Sequence, residues 1–93
     1  MDNSVKAKKI IKVSSKTAVP QLAGSLIKCI EAHENVQLRA VGASAVNQMY
    51  KAIASARGTL AAKGTDIYIQ PGFDEIDECG EKKTVMVANI VIG

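Results

Sequence analysis

Between Ala18 and His33 the apolar residues Val19, Leu22, Ala23, Leu26, Ile27 and Ile30 recur at steps of three and four. That spacing is one stripe of an amphipathic helix. On either side of it the period drops to two. KKIIKV (residues 8–13) puts Ile11 and Val13 on one face and Lys12 on the other, and VQLRAV (residues 36–41) alternates Val36, Leu38 and Ala40 with Gln37 and Arg39. Two half-buried strands flanking a helix form a crossover unit with a parallel strand pair. This limits the architectures open to the chain more than any other feature.

A second period change follows. Gly42 gives a tight exit into a helix read over Ser44–Arg57, with Val46, Met49, Tyr50 and Ile53 on its core face and Gly58 as a C′ stop. TDIYIQ (residues 65–70) reads as a third strand closed by Pro71-Gly72, and VMVANIVI (residues 85–92) as a fourth. The fourth is apolar on both faces apart from Asn89, which suits a central strand or one covered by a second subunit. The polar segment between them, with five acids and then Lys82 and Lys83, reads as a long polar connection, at its plainest a mobile hairpin tip. The expected fold is α/β: a two-layer sandwich in the order β-α-β-α-β-β, with both helices on one face of a four-stranded mixed sheet. Residues 1–7 form a flexible basic tail and residues 8–93 one domain.

Charge is divided along the chain. Residues 1–57 carry seven Lys and two Arg against three acids, whereas residues 58–93 carry three Lys against six acids. A basic half beside an acidic strip points to a polyanion partner or to charge-guided self-assembly. Cys29, Cys79 and the lone His33 lack metal-ligand spacing, so neither metal nor cofactor is expected. With a single His no nucleophile-base-acid set can be assembled, and the reading is non-enzymatic. No long apolar run or secretory leader is present, which suggests a cytoplasmic protein with no membrane partner.

Both helix-opening turns emerge at the same edge of such a sheet. The first carries Lys12, Ser14, Ser15, Lys16 and Thr17; the second carries Arg39, Gly42 and Ser44. Cations, hydroxyls and two helix N-termini would converge there, and those groups hold phosphate oxygens. On the second helix Ser44, Asn47, Gln48, Lys51 and Ser55 share a polar sector, beside a strip of Ala45, Ala52 and Ala56 that would permit a close helix contact between subunits.

RAVGASAVNQMYKAIASARG (residues 39–58), preceded by KVSSKTAVPQLAGSL and followed by GTDIYIQPGF, closely resembles the bacterial stage V sporulation protein S family. The resemblance runs from Ile10 onward. That family is in turn similar to the Alba superfamily of small chromatin and RNA-binding proteins, which share this element order and form dimers. The resemblance implies a nucleoid-associated or regulatory role in sporulation. It implies nucleic-acid contacts from Lys16, with Lys12 nearby, and from the glycine at position 42. Two features depart from the Alba pattern: Ala43 stands where a basic residue is usual, and the last hairpin is acidic where Alba proteins carry a basic arm. The combined expectation is a homodimer, or a tetramer built from it, that binds DNA or RNA. Lys12, Lys16, Lys51, Arg39 and Arg57 would neutralise phosphate, and Ser14, Ser15, Ser44, Asn47 and Gln48 would supply hydrogen bonds around Gly42. The alternative is a dimeric protein-interaction module in sporulation regulation that makes no direct nucleic-acid contact.

Overall fold

The computed structural model describes residues 8–93; the tail expected at residues 1–7 lies outside the described residues. Six elements follow one another: β1 (Lys8–Val13), α1 (Val19–Glu31), β2 (Asn35–Val41), α2 (Ala43–Ala62), β3 (Ile67–Glu78) and β4 (Glu81–Ile92). The strands form one sheet in the order β1-β2-β4-β3. β1 and β2 run parallel, and β4 is antiparallel to both of its neighbours. The expected mixed two-layer α/β arrangement is therefore present. β4 is apolar on both faces because it is central: Val85 and Val87 are buried on one side and Ala88 on the other.

Strand register separates the two faces. Val36, Leu38 and Ala40 of β2, with Val13 of β1, point into the core. Leu22, Ala23, Leu26 and Ile30 of α1 meet them there, as do Met49, Ile53 and Leu60 of α2. Leu26, Leu38 and Leu60 are fully buried, and each full burial contributes about 1.5–3 kcal/mol of transfer free energy. The other sheet face carries no helix. Along it lie Lys12, Arg39, Val87 and Gly72 in one cross-strand row, and Val41, Val85 and Asp74 in the next.

Four expectations are corrected. The third strand does not close at Pro71-Gly72, nor does the fourth begin at Val85: β3 and β4 stay in register from Ile67↔Ile92 to Glu78↔Glu81, and only the tip turns. The hairpin closes through Cys79 (φ 52) and Gly80 (φ 80), two consecutive positive φ values that match the twist of paired strands. Opposite charges hold its distal part, with Asp77 beside Lys82 and Lys83 Nζ 3.0 Å from Glu78 Oε1. Pro71 is accommodated because β3 is an edge strand.

Gly58 does not end α2, which runs on to Ala62. Leu60 continues the buried stripe of Ile53 and Ala56, so packing outweighs the roughly 1 kcal/mol helix penalty of one exposed glycine. The stop is Gly64 (φ 89): Thr65 N–H donates to the Leu60 carbonyl and Gly64 N–H to that of Ala61, a Schellman closure. The alanine strip is also reassigned. Ala45, Ala52 and Ala56 are buried in the chain's own core, where α2 packs against α1, and Tyr50, expected inside, is exposed.

Candidate nucleic-acid interface

The turn between β1 and α1 is built by its own hydroxyls. Thr17 N–H donates to the Ser14 carbonyl at 3.1 Å. Ser14 N–H donates to Thr17 Oγ1 at 2.8 Å, and Lys16 N–H to Ser14 Oγ at 3.1 Å. Gln48 Nε2 reaches from α2 to the Thr17 carbonyl at 2.9 Å. Gln48 thus braces one helix-opening turn against the other helix, and its amide group is already engaged.

The β2–α2 junction depends on Gly42. Its φ of 92° and ψ of 155° lie in a region that essentially only glycine occupies. The sharp exit leaves the first turn of α2 without a side-chain cap or an acidic residue. Neither a capping side chain nor a first-turn carboxylate therefore meets the N–H groups and positive dipole end of this 20-residue helix.

These two turns face a cleft of about 740 Å³. Its lining includes Lys12, Ser14, Ser15, Arg39, Gly42 and Ser44. Six of the eleven residues singled out in the sequence are thus gathered in one place. Lys16 is exposed on the adjoining turn but does not line the cleft. Asn47 borders a separate depression with Gly42, Val46, Tyr50 and Met86. Lys51 is exposed further along α2. Arg57 is roughly 21 Å from the start of α2 at 1.5 Å per residue. Its Nε donates to Asp66 Oδ1 at 3.0 Å, so its guanidinium already has a carboxylate partner. That contact, the largest of several causes, holds the Asp66 carboxyl below its ordinary range.

The opposite wall of the cleft comes from the hairpin, through Ile76 and Glu78. Arg39 Nη1 donates to Asp74 Oδ2 at 2.9 Å and to Gln37 Oε1 at 3.3 Å. Gln37 Nε2 in turn donates to Asn89 Oδ1 at 2.9 Å. A polar chain therefore crosses the helix-free sheet face and orients the guanidinium. In the sequence the acids of this wall are visible but their facing is not, because their polar segment looks like a loop. A strand there puts Asp74, Ile76 and Glu78 on the face that carries Arg39.

Among the described residues no group of three His, Cys, Asp or Glu side chains could hold a metal ion, and no helix is long and apolar enough to cross a membrane. Cys29 is buried and Cys79 exposed, and both are free thiols.

The family model described as stage V sporulation protein S matches residues 9–92. The chain belongs to the stage V sporulation protein S family. The fold has a solved counterpart in Alba from Thermoplasma volcanium, with a TM-score of 0.62 over 91% of this chain and 99% of that one. Identity across that superposition is 13%, so the likeness is one of fold. This sporulation family member therefore has an Alba-like frame, with an acidic hairpin beside the two turns.

Proposed function

We propose that this protein is a non-enzymatic, cytoplasmic, sporulation-linked regulator that binds DNA or RNA through the rim formed by its two helix-opening turns. The cleft carries this reading: Lys12 and Arg39 stand with Ser14, Ser15, Ser44 and the uncapped start of α2 around one concavity. Cations, hydroxyls and free backbone N–H groups are the donors that phosphate oxygens accept from. Lys16, on the adjoining turn, extends the positive rim outward.

A homodimer belongs to the same proposal. Tyr50, Phe73 and Met86 are exposed; Phe73 pairs with Met86 across the hairpin, and Met86 and Tyr50 border one depression. A continuous apolar patch of this kind suits a second copy. It is also the observation that favours the protein-interaction reading, in which the patch operates and the rim stays empty.

A salt-dependent anisotropy titration with DNA and RNA, single-stranded and duplex, separates the two. Binding that falls steeply with salt, and that weakens with a shallower slope in a Lys12→Glu, Lys16→Glu double variant of unchanged fold, supports the rim. Equal affinity and slope in that variant would remove it.

A further inference from the structure

The cleft is more than a strip of phosphate donors. At about 740 Å³ it is in the range of small-molecule sites, about 300–1,000 Å³, whereas a backbone phosphate needs only a shallow groove. Its parts are also divided. The two turns form one wall, with Lys12, Ser15 and the Gly42 junction. The floor is Val41 and Val85, paired across β2 and β4 on the helix-free face. Val85 is only 4% exposed yet stands outside the core beneath the helices. The facing wall is Ile76 and Glu78 of the hairpin, and Glu78 is partnered by Lys83 at 3.0 Å.

Those walls ask for different chemistry. The first takes an anion. The floor takes a flat apolar group. The third presents a carboxylate, which when ionised accepts hydrogen bonds and donates none. A continuous strand laid through the cleft would carry a second phosphate toward Glu78 and Asp74, whose cationic partners Lys83 and Arg39 are already engaged and whose carboxylates offer it no donor. One phosphate joined to a nucleoside satisfies all three: phosphate at the turns, base on the valine floor beside the Arg39 guanidinium, and sugar hydroxyls or ring amines toward Glu78. Arg39 is held by Asp74 and Gln37, and a fixed planar guanidinium is a platform on which bases stack.

Building on the rim as a phosphate seat, we propose that the cleft is a subsite for a single nucleoside monophosphate unit, either the free mononucleotide or the 5′-phosphorylated end of a strand.

The test is a calorimetric titration of the full chain with adenosine 5′-monophosphate, inorganic phosphate and adenosine. It is paired with anisotropy on short oligonucleotides bearing a 5′-phosphate or a 5′-hydroxyl. The expected result is that the mononucleotide binds at least about tenfold more tightly than phosphate or adenosine alone, which corresponds to about 1.4 kcal/mol. The mononucleotide should also displace the 5′-phosphorylated oligonucleotide. Preference for that oligonucleotide over its 5′-hydroxyl twin assigns the site to strand ends; equal binding of the two, with the mononucleotide still bound, assigns it to the free nucleotide. Val41→Trp fills the floor from a position that is 42% exposed, so the fold should tolerate it, with a thermal melt as the check. It and the surface variant Lys12→Ala should each weaken mononucleotide binding by about tenfold. Mononucleotide binding no tighter than inorganic phosphate, or unchanged in Val41→Trp, overturns the subsite. If long oligonucleotides still bind with a steep salt dependence, only the subsite falls; if they do not bind either, the rim falls with it.

Discussion

Replacing Asp74 with Asn tests whether Arg39 is held back from phosphate by its own hairpin. The pair is close, at 2.9 Å, and half-open to water, with side-chain exposures of 24% for Arg39 and 56% for Asp74. Exposed pairs of this kind contribute about 0.2–1 kcal/mol. A phosphate that recruits Arg39 must give up that amount, and a neutral amide in place of the carboxylate would largely remove the cost. The substitution also deletes a negative charge near the bound phosphate. At about 7 Å in water that repulsion is about 0.6 kcal/mol before screening. Together the two effects amount to about 0.8–1.6 kcal/mol, a tightening of about four- to fifteen-fold. If Arg39 then engages one further phosphate, the slope of log K against log salt should steepen by about 0.7 for single strands or 0.9 for duplex. Anisotropy at about 50 and 200 mM salt reads both quantities, because each phosphate contact shows in that interval. Glu75→Gln is the matched control. It makes the same charge change one residue along β3, on the helix-bearing side of the hairpin, and should tighten binding less. Equal effects of the two variants would reduce the result to net charge. Unchanged or weaker binding in Asp74→Asn would refute Arg39 as a phosphate ligand.

Further expectations concern stability and reactivity. Leu38→Ala should destabilise the fold by about 2–5 kcal/mol in urea unfolding, since Leu38 is fully buried between sheet and helices. Gly64→Ala should cost about 1–2 kcal/mol, because a φ of 89° strains any side-chain-bearing residue even where space is free. The Arg57–Asp66 pair should make stability pH-dependent. The folded-state Asp66 carboxyl lies below its unfolded value, so its contribution is present above the unfolded pKa, about 3.9, and is lost as pH falls through the folded one. Arg57→Ala should flatten a stability profile measured between neutral and strongly acidic pH. Under native conditions a thiol reagent should label Cys79 and spare Cys29, which is buried and whose thiol pKa is raised, chiefly by that burial. Equal labelling of both would contradict the placement of α1.

The element order was legible because two periodicities alternate cleanly. Val19, Leu22, Leu26 and Ile30 keep a helical beat, and Val36, Leu38 and Ala40 keep a strand beat, and burial enforces both. The distal strands of that hairpin were not legible in the periodicity for the same reason. They project past the helices, so nothing buries Glu75, Asp77, Lys82 or Thr84, and a strand with two wet faces has no hydrophobic alternation to read. Gly58 misled in the opposite sense: a local stop signal was overruled by Leu60, whose burial depends on tertiary packing. That Lys12, Ser14, Ser15 and Ser44 share one cleft was legible in the sequence, because the turns that carry them are set by topology. The sequence did not suffice for Gln48, whose role as a brace depends on the Thr17 carbonyl, or for Arg39, whose guanidinium is oriented by side chains that include the sequence-distant Asp74 and Asn89.

Pro71 also bears on whether a further strand can add to the sheet. In an antiparallel ladder alternate residues turn their N–H groups toward and away from the neighbour. A proline tolerated at that point must therefore have its missing donor on the free side of β3. An incoming strand meets a gap in the row of groups it would need, and the charged Glu75 and Asp77 follow within six residues along the same border. Sheet extension by strand addition is disfavoured there. The border of β3 is therefore a poor template for fibre growth.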